Sequence, residues 1–261
     1  MTIQSGTDQS TRMPETADYK MLYQQLKMKH QFMLSQVSHE IRNPVTLINS
    51  FMQLLEGRHP ELIQDNYWQK IMENMDFLKS LLNELSAFNN SEKLNLQNSN
   101  IYNTFCEVIE SVTPALNERH ITIDLQKLSP IPVIKADGIK LRQLFLNLIR
   151  NASDAIETEG HIYCAIQSDG ESIIFTVSDT GNGIPSEYQD DLFEPFITHK
   201  QEGTGLGLPI CRRIVSAHKG TISFKSKSGE GTRYHIQSSS THQLITQKCA
   251  AFHYEGSLFF P

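Results

Sequence analysis

A histidine within a long helical pattern is the first candidate for chemistry. When Val37 is placed at heptad position d and Ile41 at position a, His39 falls at position f, furthest from the apolar seam. Most isolated histidines are structural, but a solvent-facing neutral imidazole is what the acceptor of a phosphoryl group requires. The adjacent Glu40 carboxylate could accept a hydrogen bond from one ring nitrogen and free the other as a nucleophile. Asn43 lies one helical turn further along the same face.

A second helical pattern, over residues 138–156, carries a polar stripe beside its apolar face. The stripe consists of Gln143, Asn147, Asn151 and Asp154. A solvated surface would favour Glu and Lys, whereas asparagine is a poor helix former, so two in the helix interior need another explanation. Neutral amide oxygens can coordinate Mg²⁺ without overcompensating the charge of a triphosphate. The two asparagines are therefore candidate Mg²⁺ ligands.

An aspartate followed by glycines ends one of the predicted strands. Asp179 closes the strand, and Gly181 and Gly183 let the backbone turn sharply where a flat ligand could approach. A carboxylate at this point can accept a hydrogen bond from an exocyclic amine such as adenine N6. The same pattern is also common in ordinary loops, so this segment alone favours neither interpretation.

A glycine-rich segment leads into the last predicted helix. Gly203, Gly205 and Gly207 precede that helix, and Pro209 lies in its first turn. Glycine-rich backbone at a helix N-terminus forms an anion cradle suited to phosphates. A plain loop is the alternative, but the order of amide stripe, Asp-Gly turn and glycine-rich helix start favours a nucleotide site.

Two helical patterns must position His39. The first runs over residues 19–56, with Pro44 as its only interruption, and the second over 63–88; Gly57, His59 and Pro60 break the helix between them. Each pattern has a heptad seam, and a single hairpin cannot bury both seams. Two copies make a dimeric four-helix bundle, so a homodimer is predicted. The seam residues are Leu34, Val37, Ile41, Pro44, Ile48, Phe51 and Leu55 in the first helix and Ile71, Met75, Leu78, Leu82 and Leu85 in the second.

After residue 100 the pattern changes to mixed helices and strands, which predicts an α+β sandwich with helices on one face of a mostly antiparallel sheet. Helices are expected over 102–119 and 138–156, with two more before the last two strands. Strands are expected over 121–126, 132–135, 161–167, 172–178, 221–225 and 232–237. The predicted domains are a flexible segment (1–18), a helical hairpin (19–90), a linker (91–100), the sandwich (101–237) and a tail of unknown role (238–261).

Composition excludes several classes of protein. The net charge of −6 argues against nucleic acid as a partner, because phosphate-backbone binding demands basic excess. The four cysteines lie far apart, which favours reduced thiols over a metal site or disulfide framework. No apolar run approaches the roughly 20 residues that span a bilayer, and the N-terminus lacks a signal-peptide core. The chain is therefore predicted to be cytoplasmic, with no membrane segment.

Five motifs together resemble the sensor histidine kinases of bacterial two-component systems. The run SHEIRNPVTLI (38–48) resembles their phosphoacceptor box, and four later segments are similar to the N, G1, F and G2 boxes of their ATP-binding domain. Those segments are LRQLFLNLIRNASDAI, DTGNGI, LFEPFITHK and GTGLGLPI. The box sequences look closest to the sporulation-kinase and nitrogen-regulation groups. The ATP-binding fold is shared with the gyrase, mismatch-repair and chaperone ATPases.

The resemblance implies an activity: ATP and Mg²⁺ are used to phosphorylate His39, and the phosphoryl group passes to an aspartate of a response regulator receiver domain. Glu40 would assist the transfer, and Asn43 would orient a water in a phosphatase reaction toward the regulator. Asn151 would be the principal Mg²⁺ ligand, supported by Asn147, and Asp179 would bind adenine. The remaining nucleotide-binding positions are Asp154, Gly181, Gly183, Lys200, Gly203, Thr204, Gly205, Leu206 and Gly207.

Two departures from the family pattern remain. Many members carry Lys or Arg where this chain has Asp154, and no sensor domain precedes the hairpin. Either the sequence is part of a longer protein, or a separate sensor or inhibitor protein supplies its signal. Two rival functions also stay open: an ATPase clamp of the gyrase or chaperone type, disfavoured by the hairpin with HEIRNP, and a non-catalytic docking scaffold, disfavoured by the intact Asn151, Asp179 and glycines.

Overall fold

The computed structural model describes residues 16–200 and 203–239. The predicted N-terminal segment up to residue 15, the tail from residue 240 and residues 201–202 lie outside this description. The chain divides between residues 89 and 90 into two compact units, which are described in turn. No helix in the described ranges combines the length and apolar character needed to cross a membrane.

The first unit is a helical hairpin. Helix α1 covers Thr16–Arg58 and helix α2 covers Asn66–Asn90, with a 3-10 turn at Pro60–Gln64 between them. The predicted interruption at Pro44 is wrong, because α1 continues through it. Asp65 begins α2: its Oδ1 accepts hydrogen bonds from the Tyr67 and Trp68 backbone N–H groups at 2.8 and 3.0 Å.

The contact between α1 and α2 uses a different line of α1 residues from the predicted seam. Val45 and Met52 of α1 pack with Met75 and Leu82 of α2, flanked by partly buried side chains. Polar links accompany this core: the Trp68 indole donates to Glu56 at 2.7 Å, and the Arg42 guanidinium donates to the Leu82 carbonyl at 3.1 Å. The residues flanking the core are Trp68, Met72 and Leu78.

The predicted α1 seam lies on the solvent side of the hairpin. Val37, Ile41, Ile48, Phe51 and Leu55 remain 42–56% exposed in the single chain. In α2 the predicted seam divides, because Met75 and Leu82 are buried within the chain whereas Ile71 is 49% exposed. The hairpin therefore has an apolar face that the described residues of its own chain leave exposed, as the paired seams predict.

The second unit is a sandwich of three helices on one face of a mixed five-stranded sheet. The strands of the sheet are β2 (Ile121–Lys127), β4 (Gly160–Ser168), β5 (Ser172–Asp179), β6 (Gly220–Lys227) and β7 (Gly231–Ser239). The helices are α3 (Ile101–Glu118), α4 (Gly138–Asp154) and α5 (Gly207–Ala217). The sheet order is β2-β4-β5-β7-β6, in which β2 and β4 run parallel and the other neighbours antiparallel.

Aromatic packing joins α3, α4 and the sheet. Phe105 of α3 stacks on Phe145 of α4 with ring centroids 4.0 Å apart, and Phe145 meets Phe175 of β5 edge-on at 4.9 Å. All three rings are almost completely buried. This core turns the opposite face of α4, which carries the asparagines, away from the sheet.

Two elements differ from the sequence prediction. Strand β1 (Gln97–Ser99) was not predicted; it lies in the range assigned to the linker and pairs antiparallel with β3 (Ile134–Ala136). One of the two late helices is absent from the described residues, where only a 3-10 turn over Ser186–Tyr188 forms. Pro195 and the positive φ of Phe196 (65°) oppose a regular helix in this stretch.

A buried histidine connects the ends of α4 and α5. The Asp137 backbone N–H donates to His218 Nε2 at 3.1 Å, and His218 Nδ1 donates to the Ile214 carbonyl at 2.8 Å. Burial lowers the pKa of His218, and these two bonds require its neutral form. Asp137 in turn caps α4 through Lys140 N–H at 3.0 Å. His218 is therefore a structural residue, in contrast to the exposed His39.

Candidate functional site

His39 is exposed on α1, as position f predicts. The residues on either side of it point into the hairpin: Ser38 is 1% exposed and donates to the Leu34 carbonyl at 2.6 Å, and Arg42 reaches α2. The burial of Ser38 and the Arg42 contact with α2 show which side of α1 lies against α2. The imidazole of His39 is thereby presented to solvent, where a phosphoryl donor can approach.

Glu40 and Asn43 are also exposed, but only Asn43 shares the face of His39. Neighbouring helical residues point about 100° apart, whereas residues four apart are aligned. The hydrogen bond expected between Glu40 and the His39 ring is correspondingly missing, and neither side chain has a partner among the described residues. Pro44 lacks an N–H, so the Glu40 carbonyl receives no intrahelical hydrogen bond from that position.

The asparagines of α4 differ in their surroundings. Asn147 Nδ2 donates to the Gly207 carbonyl at 3.2 Å, which joins α4 to the start of α5. Asn151 Nδ2 is buried and has no hydrogen-bond partner among the described residues. Rotation of the amide by 180° exchanges its oxygen and nitrogen, so this position can offer an acceptor to a cation or a donor to a phosphate. Asn151 therefore fits a ligand better than Asn147 does.

Asp179 is a buried carboxylate at the end of β5, only 6% exposed. Its Oδ1 accepts hydrogen bonds from the backbone N–H groups of Gly181 at 2.9 Å and Thr232 at 3.2 Å. Burial raises the pKa of this carboxyl, against the effect of the two hydrogen bonds and of the Lys200 charge. Oδ2 takes part in neither bond and can accept one from a ligand.

The glycines of the predicted site fall into two groups. A Cβ on Gly181 would lie 2.4 Å from the Ala155 carbonyl oxygen, and one on Gly183 would lie 2.1 Å from that of Lys227. Gly205 has a φ of +68° and would meet the Ile197 carbonyl oxygen at 2.7 Å. These three glycines are required by close backbone approach. In contrast, a Cβ on Gly207 would meet no described atom within 4 Å, so there is open space for a ligand at the N-terminus of α5.

The remaining predicted residues differ in their surroundings: some are exposed and others belong to the core. Lys200 Nζ forms an ion pair with Asp154 Oδ2 at 2.9 Å, which brings these two predicted positions together. Thr204 Oγ1 accepts from the Leu206 N–H at 3.2 Å, and Leu206 itself is fully buried. The Leu206 side chain is therefore a core residue and leaves only its backbone for a ligand. A Cβ on Gly203 would lie 2.4 Å from Thr198 Oγ1.

Sequence reasoning missed two residues that shape the surroundings of Asp179. Thr232 donates to its carboxylate, and a Cβ on Gly231, whose φ is +86°, would lie 2.1 Å from the Asp179 carbonyl oxygen. Both lie on β7, more than fifty residues from Asp179 along the chain. Their only local signal was a Gly-Thr pair at the start of a predicted strand, which is too common to indicate a site.

Two family models match the chain. Residues 29–93 match the "His Kinase A (phospho-acceptor) domain", and residues 136–241 match the "Histidine kinase-, DNA gyrase B-, and HSP90-like ATPase". The first match contains the exposed His39. The second contains Asn147, Asn151, Asp179 and the glycine-rich segment.

The chain is also similar to named kinases and to a solved structure. Sporulation kinase E of Bacillus subtilis (strain 168) is 29% identical over 201 residues, which cover 77% of this chain and 27% of that protein. Sensor histidine kinase ZraS of Escherichia coli (strain K12) is 32% identical over 199 residues, covering 76% and 43%. The crystal structure of full-length ShkA in complex with AMPPNP has a TM-score of 0.69 at 29% identity, covering 79% of this chain and 45% of ShkA.

The chain spans 27% and 43% of the two curated relatives. Both matched regions nevertheless occur in one chain, with the phosphoacceptor region first and the ATPase region second. The fold of each unit, the exposed histidine and the named relatives agree, and the chain belongs to the sensor histidine kinase family.

Proposed function

We propose that this chain uses ATP to phosphorylate its own His39 and passes the phosphoryl group to an aspartate of a response regulator receiver domain. The observation that carries the proposal is the exposed His39 on a helical hairpin, in one chain with an ATPase-family unit in which the buried Asn151 Nδ2 has no hydrogen-bond partner among the described residues. The relative ShkA, solved with AMPPNP, supports a nucleotide as the ligand. The proposed domains are 19–90 for phosphoacceptance and 101–237 for ATP, joined by 91–100.

In the proposed reaction, an imidazole nitrogen of His39 attacks the γ-phosphorus of ATP. A P–N bond forms, the bond to the ADP oxygen breaks and the ring proton is released. The transition state of such a transfer is loose and in line, so the protein contributes mainly positioning and neutralisation of charge. The exposed ring of His39 lies on a helix whose other side is buried at Ser38 and bonded to α2 through Arg42, which supports the positioning role. A change of side-chain rotamer would bring the Glu40 carboxylate within hydrogen-bonding reach of the His39 ring.

The nucleotide would contact three parts of the second unit. Asp179 Oδ2 would accept a hydrogen bond from the adenine amino group, and the open space above Gly207 would receive phosphate oxygens. Asn151 would hold Mg²⁺, and Asn147, one turn earlier on the same face of α4, would support it. The bound cation would neutralise part of the phosphate charge.

The experiment that tests the proposal is incubation of the full chain with γ-labelled ATP and Mg²⁺, followed by acid and base treatment. A phosphoryl group on imidazole is lost in acid and survives base. Subsequent addition of a receiver domain should move the label to an acyl phosphate, which base removes. Release of labelled phosphate without labelled protein would instead support an ATPase clamp, and binding of ATP without either reaction would support a docking scaffold.

We further propose that the chain acts as a homodimer through the exposed α1 seam. The intrachain line of α1 alternates apolar residues with Arg42, Asn49 and Glu56, whereas the exposed seam contains only apolar residues. Full burial of a large apolar side chain is favourable by about 1.5–3 kcal/mol. A seam that stays in water does not gain this free energy. Packing two hairpins seam to seam recovers that energy and makes a four-helix bundle.

Ile48→Glu should convert the dimer to a monomer. Two copies of an unpaired carboxylate would enter the bundle, at about 1–3 kcal/mol each, so the dimer Kd should rise at least about 30-fold. Light scattering of the full chain over a concentration series measures the change. Ser50→Glu adds the same charge at an exposed position of α1 outside the seam. The mass measured for this variant should remain that of a dimer. A monomeric wild-type chain at micromolar concentration would refute the seam as a dimer interface.

A phosphatase activity toward the regulator is a second proposal, and it concerns Asn43. The amide of Asn43 lies one turn from His39 on the same exposed face, so it can reach the space where phosphate is exchanged. A neutral amide cannot serve as a general base, which makes it dispensable for activating His39. It can hold a water in line with a phosphoaspartate.

Asn43→Ala should keep substantial autophosphorylation and lose phosphatase activity, by about 10-fold or more if water positioning is its role. Both rates are measured with the purified variant and its phosphorylated regulator. Thr46→Ala is the control, because Thr46 is exposed nearby and its hydroxyl donates to the Arg42 carbonyl within α1. Equal loss of both activities in Asn43→Ala would indicate that Asn43 serves only the helix geometry before Pro44.

A further inference from the structure

An ion pair joins the polar stripe of α4 to the segment before the glycine-rich turn. Lys200 Nζ lies 2.9 Å from Asp154 Oδ2, and the two side chains are 48% and 36% exposed. Asp154 follows Asn151 by three residues, so it lies on the same face of α4, about one turn further on. The pair therefore places a positive charge beside the proposed nucleotide site.

The backbone around Lys200 is held independently of this ion pair. Its N–H donates to Thr198 Oγ1 at 3.2 Å, and its carbonyl accepts from the Gly203 N–H at 3.2 Å. The preceding His199 ring stacks on Tyr188, with centroids 3.5 Å apart. The Cα of Lys200 is thus fixed, and its long side chain takes its direction from Asp154.

The Lys200 ammonium also acts on the other end of the site. It opposes the effect of burial on the pKa of Asp179, so its field reaches that carboxylate. Lys200 is the cationic member among the predicted nucleotide-binding positions. An ammonium has three N–H donors, and the bond to Asp154 occupies one of them. Two donors remain for phosphate oxygens.

We propose that Asp154 is a positioning residue that holds Lys200 where its ammonium binds a phosphate of the nucleotide. The inference rests on the proposed ATP site and assigns a role to the acidic residue within it. An unpaired carboxylate beside phosphates would repel them. The Asp154 carboxylate is instead neutralised by Lys200, whose side chain it orients. Because the pair is half exposed, the interaction is weak, and the ammonium can share its donors without a large penalty.

Calorimetry of the full chain with Mg·ATP and with adenosine tests the proposal. Lys200→Ala should weaken ATP binding about 10-fold, the effect of one lost charge-assisted hydrogen bond, and leave adenosine binding unchanged. Lys200→Asp should weaken ATP binding further, since two carboxylates would then face the phosphates. An equal loss for ATP and adenosine would overturn the assignment of Lys200 to a phosphate.

A charge exchange tests the positioning role of Asp154. Adding Asp154→Lys to Lys200→Asp restores an oppositely charged pair at the same place, and it should recover at least about 10-fold of the lost ATP affinity. Glu110→Lys in the same Lys200→Asp background is the control, because Glu110 is exposed on α3 and adds equal charge away from the pair. Recovery by the control equal to that by the exchange would overturn the positioning role. A wild-type chain that binds neither probe would refute the ATP site itself.

Discussion

Replacement of His39 by glutamine should reduce labelling from γ-labelled ATP to background while ATP binding stays within about twofold of wild type. Glutamine keeps a polar side chain of similar length on the exposed face of α1, so the burial of Ser38 and the Arg42 contact with α2 are unaffected. It has no imidazole nitrogen that can attack phosphorus. The substitution therefore separates the acceptor from the nucleotide site.

His59→Gln is the matched control for this variant. His59 is exposed after the end of α1 and pairs with Glu61 at 3.0 Å, a surface contact that solvent screens and that adds little to stability. This control should incorporate label like the wild type. Label that persists in His39→Gln, or that survives acid in the wild type, would contradict the assignment of His39 as acceptor.

Substitution of Asp179 by asparagine should weaken ATP binding by about 10- to 100-fold. The asparagine oxygen can still accept from Gly181 and Thr232, but an NH₂ group would replace Oδ2. An amide donor facing the amino group of adenine leaves buried donors unpaired, which costs roughly 1–3 kcal/mol. Autophosphorylation at subsaturating ATP should fall in proportion, whereas His39 itself is unchanged.

The base specificity of the variant gives the sharper measurement. Guanine has an acceptor oxygen where adenine has its amino group, so Asp179→Asn should raise the affinity for GTP relative to ATP. The melting temperature should not fall, because removal of a buried charge relieves the desolvation that raises the pKa of Asp179. Asp124→Asn, an exposed change on edge strand β2, should alter neither affinity. An unchanged ratio of ATP to GTP affinity would show that Asp179 does not bind the base.

The sequence alone predicts the features that depend on local periodicity. Heptad spacing predicts two helices in a hairpin and an exposed His39, and the structure has both. The polar stripe of α4 and the glycine-rich start of α5 are likewise local patterns, and each lies on the element that was expected. Local spacing suffices here because a helix repeats every 3.6 residues whatever its surroundings.

The sequence alone could not show which of two apolar lines on α1 packs against α2. Both the exposed seam and the Val45–Met52 line satisfy helical spacing, and only the packing of α2 shows which line the chain covers itself. The helix through Pro44 was missed for a related reason. Loss of one hydrogen bond disfavours a helix locally, but packing along a helix of 43 residues outweighs it.

Pairings between distant residues were decided by the tertiary structure. The sequence singled out both Asp154 and Lys200 without indicating that they form an ion pair across 46 residues. Thr232 meets Asp179 only because β7 lies beside β5 in the sheet, and β1 forms only because β3 lies next to it. Side-chain type and spacing determine which residues can do chemistry. The order of strands and the closure of loops determine which of them meet, since those contacts join segments that are far apart along the chain.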